Sequence, residues 1–434
     1  MTSSATFIPP KKRVSLTARW VFPVDANPLE QGVIEIEAGG IVAVHQKRNS
    51  AAIDLGNVAI IPSLVNCHTH LELSDLSSPL ETSTSFAHWI RSVITHRQER
   101  TEASQKIYEE GLQEATISGS TLVGDIVGVD WKPADSLHSK NQVIAFRELI
   151  GLLPEQQTEQ LAAAKQHIDV IQEFISQNKI MPHLLSGLSP HAPYSVGFDL
   201  LKSIAHLATE RNVPLAMHLA ETTEEIELLK NGRGGLVEML KEFGIWHNDL
   251  FPFSTTPLDY LKILATAPRA LVVHGNYLSD EEIDFLAAHR QMTTIYCPRT
   301  HAYFSHSQHP WLQLLKKGAN VALGTDSRAS NPDLSLWQEL LYLHQTNPKI
   351  PPQQLLELGT LAGARAFGLE EETGSLQAGK FADLAVVSLA KSNTNSPDTL
   401  LLQPSNQIIA TMKRGEWLYQ NDSVQHLTNN GGEN

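Results

Sequence analysis

Short apolar runs alternate with longer stretches of helical periodicity through most of this chain, and that rhythm predicts a parallel sheet built from βα units. Eight apolar runs read as strands, at 59–65, 121–126, 143–149, 182–188, 214–219, 270–273, 293–296 and 320–323. Helical patterns fall between them, among others at 101–118, 157–177, 199–211 and 279–289. Eight parallel strands with intervening helices predict a closed α/β architecture, the (β/α)8 TIM-like barrel. The competing open, doubly wound sheet normally brings a glycine-rich phosphate loop after an early strand, and the chain has none. Both ends have a different pattern. Val33-Ile34-Glu35-Ile36-Glu37 alternates with period two, Gly39-Gly40 marks a hairpin turn, and Ile41 to Val44 resumes the strand. Similar runs recur at 381–387 and 407–412. The expected organisation is therefore a barrel over 61–370 and a small β-sandwich domain from both chain ends, 1–60 and 371–420. A flexible tail is expected over 421–434.

Polar residues suited to metal binding or proton transfer follow most of the strands at once. In a barrel the C-terminal strand ends converge on one face, where active sites sit. His68 and His70 follow the first strand as Asn66-Cys67-His68-Thr69-His70. Residues i and i+2 on a strand share a side, so both imidazoles can reach one ion, and zinc and iron accept neutral imidazole nitrogen. His218 ends the fifth strand and offers a third nitrogen from a different strand. Glu221, three residues on, is placed as a general acid/base or as an ordinary loop glutamate capping the next helix. His274 ends the sixth strand. Asp326 ends the eighth, in Gly324-Thr325-Asp326-Ser327, where a carboxylate can bind metal and accept a proton. His191 follows the fourth strand and is better placed to orient a substrate. The chain holds 19 histidines. Of these, His45, His88, His96, His138, His167, His206, His289, His306, His309 and His344 read as surface or structural. Recurrence at successive strand ends is what separates the others.

Composition narrows the class only a little. Of 434 residues 41% are hydrophobic and 18% charged, a core-forming globular balance. The formal net charge of −14 argues against nucleic acid or anionic membranes as partners. No apolar run approaches the roughly 20 residues needed to span a bilayer. The polar N-terminus lacks a signal-peptide core, which predicts a cytoplasmic protein. Two cysteines, Cys67 and Cys297, make no disulfide framework.

These segments together resemble the amidohydrolase superfamily, in its cytosine-deaminase-like and triazine-hydrolase-like branch. The likeness runs through Ile61-Pro62-Ser63-Leu64-Val65-Asn66-Cys67-His68-Thr69-His70, His218-x-x-Glu221, Val273-His274-Gly275, Gly324-Thr325-Asp326-Ser327 and the stretch Gly374 to Leu384. The resemblance implies a single divalent metal held by His68, His70, His218 and Asp326. It also implies Glu221 and His274, together with Asp326, as proton-transfer and substrate-polarising groups. Some relatives hold two metals through a carboxylated lysine after the fourth strand; Ser186-Gly187-Leu188-Ser189 offers none here. Zinc is the first choice and iron the second.

The implied reaction is hydrolytic deamination of an amino-substituted nitrogen heterocycle, purine- or nucleoside-like, on a small-molecule substrate. Hydrolysis of a cyclic amide, imide or halide by the same site is the alternative, and a non-catalytic scaffold would not need every ligand position filled. His191-Ala192-Pro193-Tyr194-Ser195 resembles the substrate-side loop of adenosine-type deaminases. Leu71-Glu72-Leu73-Ser74 with Phe86-x-x-Trp89-Ile90 resembles aminofutalosine deaminases. The expected substrate contacts are His191, Glu72, Trp89, Ser327 and Arg328. A guanidinium at Arg328, seconded by Arg299, favours an anionic group on the substrate. Ion pairs within the protein are the other reading of both arginines and of Glu72. The resemblance leaves a homo-oligomer open.

Overall fold

The structure is a computed structural model. It describes residues 13–430 apart from 47–50, 82–84, 101–103, 137–138, 179–182, 248–249, 252–253 and 392–395. His138 and the expected starts of elements at 101 and 182 lie outside the described residues.

Eight parallel strands form the central sheet: β1 Leu64–Thr69, β2 Ser120–Val127, β3 Gln142–Leu149, β4 Leu184–Pro190, β5 Leu215–Leu219, β6 Ala270–His274, β7 Met292–Tyr296 and β8 Asn320–Leu323. Each pairs with the next in chain order. A parallel bridge between Thr69 and Asp326 brings the last strand back to the first. The seam is reinforced where Thr325 N–H and Asp326 N–H both donate to the His68 carbonyl at 3.0 Å. Gly324 allows that approach, because a Cβ there would sit 2.9 Å from both Cβ and the carbonyl oxygen of His68. The fold is the expected TIM-like barrel.

Period two decides what reaches the mouth. Phe146, Ala216 and Ala322 belong to the apolar plug inside the barrel, with Leu122, Ile144, Leu271 and Ile295. Two residues beyond Phe146 and Ala216 stand Glu148 and His218; four beyond Ala322 stands Asp326. On β1 the pairing register with β2 shifts between Asn66 and Thr69, which re-aims the side chains that follow. Helices α1 Phe86–Glu99 and α2 Ser104–Ile117 follow β1, α3 Gln157–Asn178 follows β3, α4 Phe198–Arg211 follows β4 and α5 Thr223–Asn231 follows β5.

Two further sheets come from the chain ends. One orders Gly40–His45, Val33–Glu37, Val14–Thr17 and Ile53–Asp54; the other orders Glu416–Gln420, Ile408–Lys413, Leu384–Ser388, Val58–Pro62, Trp20–Val21 and Leu29–Glu30. Alternation lets the second sheet serve two cores. Ile60, Leu384 and Val386 pack with Leu16, Ile34 and Ile41 of the first sheet. Their neighbours Ala59, Ile61, Ala385 and Val387 pack with the barrel's outer core.

Two expectations need correction. The apolar run 59–65 is two strands, not one: Val58–Pro62 pairs antiparallel with Leu384–Ser388 in the terminal sheet, and β1 starts at Leu64. Ser63 is the crossing point, where its N–H donates to Asp383 and the Leu64 N–H to Gly119. The segment after Gln420 is not a loose tail as far as Asn430. It forms the helix Asp422–Asn430, begun by Asn421, whose side chain accepts from the Val424 N–H, and it buries Val424 in the terminal core. Among the described residues no helix is long and apolar enough to cross a membrane.

Candidate active site at the barrel mouth

Three strand ends leave the β region in the same way. Ala220 (φ 54°), His274 (φ 70°) and Asp326 (φ 59°) all take left-handed backbone conformations without being glycine. Such conformations cost about 1–3 kcal/mol each and persist where surrounding bonds over-determine them. Those bonds are present. Glu225 on α5 accepts from the Ala220 N–H at 2.8 Å and the Glu221 N–H at 3.0 Å. The Asn276 amide donates to the Glu221 carbonyl at 2.9 Å. His309 donates from Nε2 to the His274 carbonyl at 2.8 Å while its Nδ1 accepts from the Trp311 N–H. Thr69 Oγ1 donates to the Asp326 carbonyl.

The strained turns aim five imidazole and carboxylate side chains at one point. His68 and His70 Nε2 lie 3.5 and 3.6 Å from Asp326 Oδ1. Ring centroids are 4.9 Å apart for His68–His70 and for His68–His218, and 5.5 Å for His218–His274. Ligand atoms of His68, His70 and Asp326, and of His68, His218 and His274, fall within 4.8 Å of one another. All five groups are buried.

Their bonding is conspicuously incomplete. Both ring nitrogens of His68 and Nδ1 of His70 are buried with no hydrogen-bond partner. His218 donates from Nδ1 to the His191 carbonyl at 2.9 Å, which leaves the Nε2 lone pair directed into the cluster. Asp326 Oδ2 accepts from Ser330 Oγ at 3.0 Å, so Oδ1 faces the histidines. Burial holds the pKa values of His70, His218 and His274 well below that of free imidazole, favouring neutral rings. Burial would raise Asp326, but the surrounding imidazoles outweigh it and keep the carboxyl below its ordinary range. Neutral nitrogens around an ionised carboxylate are the donor set a divalent transition ion takes.

Glu221 stands beside this cluster, its Oε1 3.4 Å from His274 Nε2. Burial, with the nearby charges of Asp326 and Glu225, pushes its pKa well above the usual carboxylate value, which favours the protonated form. A cavity opens over these groups. Phe86, Trp89, Ile90 and Tyr194 line its apolar side, and Glu148, Arg97, His191 and Ser327 its polar side. Trp89 stacks on Phe86 at 5.6 Å and meets Phe304 edge-on at 5.1 Å. Burial drives His191 down to about 3, and its Nδ1 shares a 2.7 Å hydrogen bond with Ser195 Oγ.

The structure brings together nearly all the residues singled out in the sequence. His68, His70, His218, His274, Asp326 and Glu221 converge, and His191, Trp89 and Ser327 line the same cavity. Arg328 does not join them. Its guanidinium forks onto both oxygens of Glu114 on α2 at 3.0 Å and donates to the Leu76 carbonyl, outside the cavity. Arg299 is engaged by Asp333 and Glu339. Glu72 is taken by Arg97, and it lines an adjoining cavity rather than this one. The pairing of Arg328 and Arg299 takes away the two guanidinium groups from which an anionic substrate was expected. Sequence reasoning missed Glu225, Asn276 and His309, which hold the turns, and Glu148 and Arg97, which line the cavity. Only the inward period-two position of Glu148 gave a usable signal.

The C-terminal rim of the barrel thus gathers four histidines, an aspartate and a buried glutamate into one cluster beside a cavity. The chain belongs to the amidohydrolase family, whose model matches residues 59–418. It is 30% identical over 399 residues to the 5-methylthioadenosine/S-adenosylhomocysteine deaminase of Moorella thermoacetica, covering 87% of this chain and 86% of that one. It is 28% identical over 339 residues to the aminodeoxyfutalosine deaminase of Deinococcus radiodurans, covering 73% and 75%. Among solved structures, the aminofutalosine deaminase of Helicobacter pylori, in complex with methylthio-coformycin, superposes with a TM-score of 0.81 at 23% identity, covering 93% of this chain and all of that one.

Proposed function

We propose that this protein is a metal-dependent aminohydrolase that converts the C–NH₂ of a purine nucleoside-type substrate to C=O, consuming water and releasing ammonia. The observation that carries this reading is the pairing of an incompletely bonded His/Asp cluster with a buried Glu221 beside it. Relatives of known activity that match most of this chain are deaminases of such compounds.

The residues fit a single divalent ion held by His68, His70, His218 and Asp326: both ring nitrogens of His68 and Nδ1 of His70 are orphaned in a buried setting, and the surrounding imidazoles favour the ionised form of the one carboxylate. Zinc suits this nitrogen-rich set best and iron second. Such an ion, when bound, supplies a Lewis acid that makes water nucleophilic near neutral pH. The chain does the rest. Trp89, Phe86 and Tyr194 provide an apolar wall against which a planar ring lies. Glu221 donates its proton to the ring nitrogen next to the reacting carbon, then takes up the proton left on the attacking oxygen as the carbonyl forms. His274, next to Glu221, orients the attacking oxygen by hydrogen bonding. Asp326 accepts the first water proton and delivers it to the departing amine.

An ammonia-release assay of the zinc-loaded protein on adenosine, 5′-methylthioadenosine and S-adenosylhomocysteine tests this directly. Ammonia from at least one is expected. Ammonia from none, with turnover of cyclic amides or chlorinated rings instead, would contradict it.

A further inference from the structure

Glu148, the penultimate residue of β3, points into the cavity and has nothing to do in the chemistry just described. Its side chain is only 11% exposed. Its nearest cationic or imidazole neighbours are His191 Nε2 at 3.8 Å and Arg97 Nη1 at 3.9 Å, both beyond hydrogen-bond reach. Among the described residues no hydrogen bond is made to its carboxylate. A desolvated carboxylate without donors is costly, and a ligand that brings donors relieves that cost. The place is right for the far side of a substrate. His191 links Glu148 to the cluster, its ring 5.0 Å from that of His218. Glu148 and the cluster therefore line one cavity, with His191 between them.

The nature of that substituent follows from the charges around it. Arg97 is the cation nearest Glu148, and it is bound on its other side by Glu72, so its charge is shared between two carboxylates. Arg328 and Arg299 are consumed by Glu114, Asp333 and Glu339. A carboxylate on the substrate would face Glu148, and the guanidinium that lines the cavity, Arg97, is already engaged by Glu72. An ammonium would crowd against Arg97. Neutral hydroxyl donors satisfy the carboxylate and offend neither neighbour, through short charge-assisted O–H···O⁻ bonds.

We propose that Glu148 is the specificity-determining residue of this site, accepting hydrogen bonds from the sugar hydroxyls of the substrate and selecting a neutral, hydroxyl-bearing arm over one that carries a carboxylate. The proposal rests on the aminohydrolase reading. The test uses the zinc-loaded, full-length protein with adenosine, 2′,3′-dideoxyadenosine and adenosine-5′-carboxylate. A site built to bond a hydroxyl rejects an analogue lacking it strongly, so kcat/KM should favour adenosine over the dideoxynucleoside by at least about a hundredfold. Adenosine should also be preferred over the carboxylate. In Glu148→Gln the diol preference should fall to below about tenfold, chiefly through KM, because a neutral amide accepts more weakly. Equal use of adenosine and the dideoxynucleoside by the wild-type protein overturns the proposal, even if the variant does not fold. So does a wild-type preference for the carboxylate, or a Glu148→Gln loss that is the same for both nucleosides. In each of these cases ammonia is still released, so the aminohydrolase reading survives; absence of ammonia from all three compounds brings down both.

Discussion

Two buried polar clusters share the C-terminal rim of this barrel, and their bonding is opposite. In the first, Arg299 donates from Nε to Glu339 at 2.7 Å and from Nη1 and Nη2 to Asp333 at 3.0 and 2.6 Å, while Glu339 also takes the Asn331 amide and the Arg299 N–H. In the second, the rings of His68 and His70 lie at similar depth with nitrogens that meet no donor or acceptor. Burial and charge are common to both, so neither property by itself marks a functional site. What differs is satisfaction. A closed network fixes the loops after β7 and β8, whereas an open one is a place prepared for something the chain does not itself supply.

The largest effect that separates the two clusters is expected on the open one. His68→Ala should abolish tight metal binding and lower ammonia release by at least about 10⁴-fold, a loss on the scale of removing the water-activating ion. Metal analysis of the purified variant beside the rate assay checks this. Next in size, Glu221→Gln should lower kcat by about 10²–10⁴-fold while metal content stays at the wild-type level. If the metal is lost as well, Glu221 supports the ligand set instead of moving protons.

The closed cluster should answer in stability. Arg299→Ala leaves Glu339 buried without its cation and should cost about 3–5 kcal/mol of unfolding free energy. Urea titration with activity followed in parallel would show a lowered midpoint and a folded fraction that still binds metal. A wild-type midpoint would mean that this network contributes no more than an exposed ion pair.

The smallest effect is global and depends on pH. Burial lowers His167, bonded to the Ala145 carbonyl, to about 4, well below free imidazole. Between that value and the ordinary 6.5 the unfolded chain binds more protons, so stability falls as pH drops through this window. At pH 5 one such group accounts for about 2 kcal/mol relative to pH 7.5. His183 and His306, also near 4, act in the same direction. Urea midpoints at the two pH values test the sign, and a His167→Gln variant should narrow the gap.

The open cluster was legible in the sequence because each ligand ends an apolar run, and a barrel brings such ends to one rim whatever their separation along the chain. The closed pairs were not. Glu114 lies 214 positions from Arg328, on a helix whose own pattern says nothing of which loop it will meet. Arg328 therefore reads as an anion-binding group until its partner is seen. The start of β1 was hidden for a related reason. A run apolar on both faces does not reveal that Val58–Pro62 pairs with Leu384–Ser388 while its continuation enters the barrel. Glu148 follows an arginine and resembles an ordinary surface pair. Only the strand's alternation places it inside and leaves Arg147 outside.

The open cluster, as proposed, is a metal centre which drives deamination. Its most direct measurement is the metal content of the purified protein, taken before and after chelation, alongside ammonia release from adenosine-type nucleosides. The account predicts that metal and activity are lost together and that zinc restores both. Full ammonia release from protein stripped of metal would contradict it.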